Sequence, residues 1–173
     1  PKKVRILPGE AVSEIRKMDF VSELEDCFGP FEISDEENVG HEEVYWRLAR
    51  PNAKNDSAPL HADSWFWELG HGKTPDNLIR VKIWIGIYNQ PELNGLFYVP
   101  GTHLKEWPYH KEMKDGFYKP VHDIEDSPNH ELFKGESGDA IIFHDKLLHG
   151  GIISKGNYSR VSLEFTMFVK PWY

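Results

Sequence analysis

The sequence predicts an all-β core with a flanking helix, folded as a double-stranded β-helix, the jelly-roll or cupin-like barrel. Three observations favour this fold. A helical apolar repeat is confined to the N-terminal part, short segments with two-residue alternation follow it, and polar loops separate those segments. No helices alternate with the strands, which disfavours a parallel α/β fold. A length of 173 residues suits one domain, over residues 1–173.

The first predicted element is a helix over about residues 11–28, where apolar residues recur at helical spacing until Gly29 and Pro30 end the pattern. The barrel is expected over about residues 44–169. Its first strand is predicted from Val44 to Leu48 and its clearest strand from Arg80 to Tyr88, because apolar residues alternate there.

Turn-forming residues divide the remaining strands. A hairpin-type turn at Asn94-Gly95 leads into a strand over residues 96–99. Residues 105–134 are rich in charge, His and Pro, and we expect them to be irregular and to cover the barrel mouth. Gly138-Asp139 precedes a strand over residues 140–143, and the last strand runs over residues 160–169.

The last strand has one apolar face and one polar face. The polar face carries Arg160, Ser162, Glu164 and Thr166. A surface strand would have this pattern, and so would a strand whose polar face lines a binding site inside a barrel. The residues alone leave both interpretations open.

Composition limits the classes of function. A net charge of -8 and a pI near 5.6 oppose a nucleic-acid partner, which normally requires a basic surface. Cys27 is the only cysteine, so an internal disulfide or a Cys-rich zinc site is excluded. No apolar run approaches the roughly 20 residues of a membrane helix, and the first residues lack a signal-peptide pattern. We therefore expect no membrane span and a cytoplasmic location.

Two histidines and an aspartate form the main chemical motif. His61 and Asp63 are two residues apart, so in an extended segment both side chains project to one side. His149 follows a predicted strand much later in the chain. His61-x-Asp63 alone is more often structural, but two His and one carboxylate form the facial triad typical of non-heme Fe(II).

Arg160 and Ser162 lie on one face of the final strand, eleven and thirteen residues after His149. A guanidinium can hold a carboxylate through a bidentate pair of hydrogen bonds. The combination with a metal triad makes a dicarboxylic co-substrate the natural hypothesis.

The ordered motifs resemble the phytanoyl-CoA dioxygenase-like family of Fe(II)/2-oxoglutarate-dependent oxygenases. They are His61-x-Asp63, Asn94-Gly95 with Val99-Pro100-Gly101-Thr102-His103, Gly138-Asp139, His149 and Arg160-x-Ser162. The resemblance covers about residues 45–169. It implies that His61, Asp63 and His149 bind Fe(II), and that Arg160 with Ser162 binds the distal carboxylate of 2-oxoglutarate. The implied activity is hydroxylation of a small molecule by O2, with release of succinate and CO2.

The resemblance also suggests less specific roles. Trp84 matches a position beside the co-substrate, and Tyr45 or Arg47 could contact 2-oxoglutarate from the strand before His61; a barrel-filling or surface role is equally compatible with each. Because related halogenases have a small residue at the position of Asp63, its carboxylate favours hydroxylation. The region before the barrel is shorter than in the family, so substrate contacts cannot be transferred, and the sequence leaves the oligomeric state unknown.

For several other residues, a purely structural role explains the sequence at least as well as a functional one. Glu164 and Lys82 face the predicted interior, where a buried salt bridge or a position at the mouth is favoured over substrate contact. Trp65, Phe66 and Trp67 could line a pocket or fill the core. The main alternative function is a non-catalytic cupin-like module that binds a metal or a carboxylate, and a second is a cupin enzyme that does not use 2-oxoglutarate.

Overall fold

The fold is known from a computed structural model, which describes residues 2–114, 116–125 and 128–171. The described α-helices are α1 (Gly9–Ile15), α2 (Asp19–Phe28) and α3 (Asp63–Glu68). The described strands are β1 (Glu32–Ile33), β2 (Tyr45–Ala49), β3 (Ile79–Tyr88), β4 (Leu96–Tyr98), β5 (Tyr109–Lys114), β6 (Phe117–His122), β7 (Glu131–Leu132), β8 (Ala140–His144), β9 (His149–Gly151) and β10 (Arg160–Val169). Within these residues no helix has the length and apolar character needed to cross a membrane.

Two antiparallel sheets build the core of the fold. The larger has the order β1-β10-β3-β8, and β2 also pairs with β10. The smaller has the order β7-β4-β9. Trp84 of β3 packs with Leu96 of β4 in one apolar cluster, so the sheets face each other. They do not close into a continuous barrel, but the jelly-roll fold class is confirmed.

The last strand shows why its two faces differ. Phe165, Met167 and Val169 are buried under the N-terminal helices, which pack against them through residues such as Val21 and Leu24. The opposite face, with Arg160, Ser162, Glu164 and Thr166, is also buried, because it points into the space between the sheets. The alternative of a solvent-facing polar surface is therefore excluded.

The N-terminal helix differs from the prediction, because the structure has two helices where the apolar repeat predicted one. The break lies at Arg16–Met18, where Met18 is extended and half exposed. The Arg16 guanidinium donates to the Glu42 carboxylate and to the Phe31 carbonyl. These long-range contacts hold the chain away from a continuous helix, although Phe28 and Gly29 end the second helix as expected.

Two loop predictions were also wrong. Residues 105–134 were expected to be irregular, yet β5 and β6 form a six-residue-paired hairpin and β7 joins the smaller sheet; residues 115, 126 and 127 of this stretch lie outside the described part. The Asn94-Gly95 turn does not connect paired strands. Instead it carries the chain from β3 in the larger sheet to β4 in the smaller one, because Asn94 Oδ1 accepts the Gln90 N–H and folds the loop on itself.

Candidate metal centre

The two histidines of the predicted triad are brought together by the backbone. His61 and His149 form an antiparallel bridge in which each N–H donates to the other residue's carbonyl at 2.9 Å. Residues paired in this way project their side chains to the same side. The imidazole centroids are 4.4 Å apart. The fold therefore sets the spacing of these side chains through main-chain hydrogen bonds.

Asp63 reaches the same point by a different route. The prediction of an extended segment was only partly right, because Asp63 is the first residue of α3, while Ala62 is extended (φ −110°, ψ 140°). The Ser64 N–H donates to the Asp145 carbonyl at 3.0 Å and fixes the start of the helix. Asp63 Oδ1 lies 3.6 Å from His61 Nε2, and Asp63 Oδ2 lies 3.7 Å from His149 Nε2.

Both imidazoles have a defined orientation. His61 Nδ1 pairs with the Pro59 carbonyl at 2.8 Å, and His149 Nδ1 pairs with the Leu147 carbonyl at 2.9 Å. A carbonyl can only accept, so each Nδ1 carries the proton and each Nε2 presents its lone pair. Metal-binding histidines commonly have this arrangement. The two Nε2 atoms and an Asp63 oxygen all lie within 4.8 Å of one another.

The protonation states also suit a metal ion. Burial lowers the pKa of His149 to about 4, and the nearby His61 contributes in the same direction. His149 is therefore neutral at physiological pH. Burial alone would raise the pKa of Asp63, but Lys82 and the two histidines outweigh it and hold that pKa below its usual range. The site thus offers a neutral imidazole at His149 and a carboxylate at Asp63, beside the imidazole of His61.

An unsatisfied atom tests whether a metal fits this site. Asp63 Oδ2 is buried and has no hydrogen-bond partner among the described residues. A buried carboxylate oxygen without a donor is costly. A cation held by the three side chains would remove that cost, and two His with one carboxylate is the ligand set of non-heme Fe(II) sites. The residues therefore fit a divalent metal.

A cavity extends from the triad toward the start of β10. Its wall includes His61, His149, Trp84, Phe143 and Arg160. The Arg160 guanidinium carbon lies 5.5 Å from the Trp84 ring, and its Nη1 donates to the Gly95 carbonyl at 2.8 Å. Burial lowers the pKa of Arg160 to about 10, which still leaves the group charged at neutral pH.

Two buried donors at this end of the cavity lack partners within the described chain. They are Arg160 Nε and Ser162 Oγ, on the same face of β10. The cavity wall itself includes Arg160, while Ser162 is fully buried beside it. Unpaired donors on a buried guanidinium match the oxygen atoms of a carboxylate. The arrangement therefore fits an anionic group at Arg160, with the metal triad at the other end.

Arg47 and Tyr45, the weaker co-substrate candidates, have different surroundings. Arg47 lines this cavity, but its guanidinium is held by Glu164, with Nη2 2.6 Å from Oε1. Tyr45 donates its hydroxyl to Glu43 Oε2 at 2.6 Å and lines a second cavity. Their proposed contacts with 2-oxoglutarate remain predictions.

The second cavity also borders the triad, through His61 and Asp63. It shares Arg47, His61, Asp63, Lys82 and Glu164 with the first cavity. Two of the aromatic residues after Asp63, Phe66 and Trp67, help to form its wall, whereas Trp65 is in the core, stacked on Tyr109 at 4.9 Å. The role of these aromatics is therefore divided between pocket and core.

One residue that supports the triad was not predicted from the sequence. Thr102 is buried, accepts the Leu148 N–H at 3.0 Å and donates to the Val99 carbonyl at 2.7 Å. These bonds fix the residue directly before His149. The position of Thr102 in the Pro100-Gly101-Thr102-His103 turn was the available signal. His103 itself is exposed, in agreement with a structural position.

Comparisons with known proteins agree with this geometry. The family model of phytanoyl-CoA dioxygenase (PhyH) matches residues 8–161. The peroxisomal phytanoyl-CoA dioxygenase of Rattus norvegicus is 37% identical over 105 residues, which are 56% of this chain and 29% of that protein. This chain therefore spans less than a third of the length of that relative.

Solved structures share the fold at low sequence identity. EvdO2 from Micromonospora carbonacea var. aurantiaca is 16% identical, with a TM-score of 0.69 over 96% of this chain and 66% of that chain. Its complex with 2-oxoglutarate gives a TM-score of 0.68. AviO1 from Streptomyces viridochromogenes Tue57 gives 0.56 at 15% identity, over 92% of this chain and 61% of that one. Because the family model matches most of its length, the chain belongs to the phytanoyl-CoA dioxygenase (PhyH) family.

Proposed function

We propose that the chain is an Fe(II)- and 2-oxoglutarate-dependent dioxygenase that hydroxylates a small-molecule substrate and releases succinate and CO2. The observation that carries the proposal is a single cavity with a metal triad at one end and a buried arginine at the other. Unsatisfied atoms occur at both ends, on Asp63 and on Arg160. Membership of the family and the 2-oxoglutarate complex of the similar EvdO2 support this assignment.

In this proposal His61, Asp63 and His149 hold the iron. The bound iron would supply the oxidising chemistry, through reaction of O2 with the co-substrate. The chain's own contribution begins with the Pro59 and Leu147 carbonyls, which keep the Nδ1 protons in place so that both Nε2 atoms remain free for the metal. Asp63 supplies one negative charge, which offsets part of the charge of a divalent ion.

Arg160 would bind the distal carboxylate of 2-oxoglutarate, with Ser162 as a supporting donor. The Gly95 carbonyl orients the guanidinium, because it accepts from Nη1 and leaves Nε unpaired. Trp84 forms the adjacent wall and excludes water around the arginine. Such desolvation strengthens the pairing of guanidinium and carboxylate. A ligand that contacted both the arginine and a metal at the triad would need an anionic group at each end, as a dicarboxylate has.

The second cavity is the proposed place for the primary substrate. It also borders the triad, and Phe66 and Trp67 give it an apolar wall. A substrate there would lie beside the metal and away from Arg160, which lines only the first of these two cavities. Its identity and the oxidised carbon depend on the remaining residues of this cavity, which include both acidic and basic side chains.

The direct test measures succinate formed from 2-oxoglutarate by the purified protein with Fe(II) and O2. The wild-type chain should form succinate, and His149→Ala should abolish Fe(II)-dependent turnover because one of three ligands is lost. His110→Ala is the matched control, since His110 is an exposed histidine on the β5–β6 hairpin that pairs with Asp123. Metal-dependent turnover that persists in His149→Ala would refute the assigned triad.

Other outcomes would point to the alternative functions. Binding of metal and 2-oxoglutarate without consumption of O2 would indicate a non-catalytic binding module. Oxidation that does not depend on 2-oxoglutarate, and that survives replacement of Arg160, would indicate a different class of cupin enzyme. The geometry favours the dioxygenase over a cupin enzyme that does not use 2-oxoglutarate, because the unpaired Arg160 Nε would have no role there, and membership of the family favours it over a binding module.

We also propose that residues 1–173 act as one oxygenase domain, since the N-terminal helices complete the core of the larger sheet. A cytoplasmic location is proposed on the single cysteine, Cys27, which is free and exposed. Fractionation of cells that express a tagged protein would test this location.

A further inference from the structure

Lys82 is a buried cation beside the metal centre that the proposed reaction does not use. Its side chain is 9% exposed and projects from β3 into the space between the sheets. Its Nζ lies 4.0 Å from Asp63 Oδ2, the unsatisfied oxygen of the triad. The ammonium makes no hydrogen bond to any residue within the described ranges. A largely buried ammonium whose nearest carboxylate oxygen is 4.0 Å away is only partly compensated, so its position requires a reason.

Lys82 belongs to a line of alternating charges across the inner face. Arg47 forms an ion pair with Glu164, and Lys82 lies beside Asp63. Among the carboxylates that stabilise the charge of Lys82, Asp63 has the largest effect and Glu164 the second largest. Glu36 acts on Lys82 more weakly. Burial alone would lower the pKa of Lys82, but these carboxylates outweigh it and raise that pKa. The ammonium is therefore charged in the folded protein.

A divalent metal and the Lys82 ammonium would share one carboxylate. In the metal-free protein Lys82 offsets the buried charge of Asp63, whose other neighbours are the imidazoles of His61 and His149. A metal bound by Asp63 would itself neutralise this carboxylate, and the metal and the Lys82 ammonium would then repel each other. Glu164 is already paired with Arg47, so it compensates Lys82 only in part. The freed ammonium is then suited to an anion that enters beside the metal.

We propose that Lys82 is the internal counter-ion of the metal-ligating carboxylate, which opposes binding of the metal and favours binding of the anionic co-substrate. Lys82 lines both cavities, so an anion at the triad would contact it from either side. The residue would therefore act as a positioning residue that orders ligand binding. This inference rests on the proposed function, because it requires a metal at the triad and a dianion beside it.

The test replaces Lys82 and measures two equilibria separately. Dissociation constants are measured for Mn(II) binding to the metal-free protein and for 2-oxoglutarate binding to the Mn(II)-loaded protein. In Lys82→Met we expect Mn(II) to bind at least about tenfold more tightly, and 2-oxoglutarate at least about tenfold more weakly. An effect of about this size is expected for a unit charge 4.0 Å from the carboxylate even under the screening of bulk water, because the metal is divalent and the co-substrate is a dianion. Lys111→Met removes the same charge from the exposed hairpin and should change neither constant.

The diagnostic result is that the affinities for Mn(II) and 2-oxoglutarate change in opposite directions, because damage to the fold would weaken the binding of both ligands. Lys82→Gln, which removes the charge and keeps a hydrogen-bond donor, should shift both constants in the same directions. Weaker or unchanged Mn(II) binding in both variants would overturn the proposal. Failure of both variants to fold would do so as well, since the ammonium would then be needed for folding. A wild-type protein that binds no Mn(II) would instead refute the proposed function, and the inference with it.

Discussion

Replacement of Arg160 by Met should remove most of the affinity for 2-oxoglutarate. Hydrogen bonds to charged groups contribute about 1.5–3 kcal/mol each, and Arg160 can give two to one carboxylate. Because the cavity is partly open, water can replace some of this interaction, so we take a loss of about 3–4 kcal/mol. That loss corresponds to roughly 10²- to 10³-fold weaker binding. Titration of 2-oxoglutarate into the Mn(II)-loaded protein measures it, by heat or by tryptophan fluorescence.

The structure offers a matched control for this variant. Arg16 is also a partly buried arginine that donates to a backbone carbonyl, that of Phe31, and it lines neither cavity at the triad. Arg16→Met should leave 2-oxoglutarate binding unchanged. Arg160→Met should still bind Mn(II) and should lose about 1 kcal/mol of stability, because the Gly95 carbonyl loses its donor. Less than a threefold loss of 2-oxoglutarate affinity in a folded Arg160→Met protein would refute the assigned role.

Three further outcomes are expected. Because burial lowers the pKa of His149 to about 4, against about 6.5 in an unfolded chain, the metal-free protein is fully stabilised above pH 6.5 and loses stability as pH falls toward 4. The loss at pH 5 relative to pH 8 should be about 2 kcal/mol in urea unfolding, and an equal loss in His149→Gln would contradict this cause. Phe165→Ala should cost about 3–5 kcal/mol in the same assay, since the side chain is fully buried between sheet and helices; a cost under 1 kcal/mol would argue against that packing. In Gly150→Ala the new Cβ would lie 2.6 Å from Phe97 Cζ. We therefore expect the free energy of unfolding to fall by about 1–3 kcal/mol and Mn(II) to bind more weakly at the adjacent His149. Adding Phe97→Leu should restore part of the stability and part of the Mn(II) affinity, and no restoration would count against the steric explanation.

Much of the site could be predicted because its chemistry depends on residue types in a fixed order. His149 and Arg160 each begin a strand, whereas His61 and Asp63 lie just before and at the start of α3 and were recognised by their two-residue spacing. The polar face of β10 was visible as a pattern, yet the pattern alone did not distinguish an inner from an outer face. Whether that face points inward depends on what packs against it. This is known only from the structure, in which β10 pairs with β3 and β2 in the larger sheet.

Other features escaped prediction because distant contacts determine them. The break between α1 and α2 depends on Arg16 reaching Glu42, which no local propensity encodes. The β5–β6 hairpin is largely exposed on both faces, so it lacks the buried stripe by which strands are recognised. A buried salt bridge was one of the favoured roles for Lys82 and Glu164, but their partners, Asp63 and Arg47, are distant in the chain and are revealed only by the fold.

Because of the reciprocal backbone hydrogen bonds between His61 and His149, these two proposed metal ligands come together when the chain folds. The chain between these residues is long, and closing so large a loop carries a considerable entropic cost. Folding itself closes this loop, because main-chain amides and carbonyls of the two segments bond to each other without the need for a bound ion. Chelators should therefore strip the ion and leave the polypeptide folded, in contrast to zinc fingers, whose binding free energy is also their folding free energy. Ion exchange at this centre would then be limited by access and ligand chemistry, with no unfolding step.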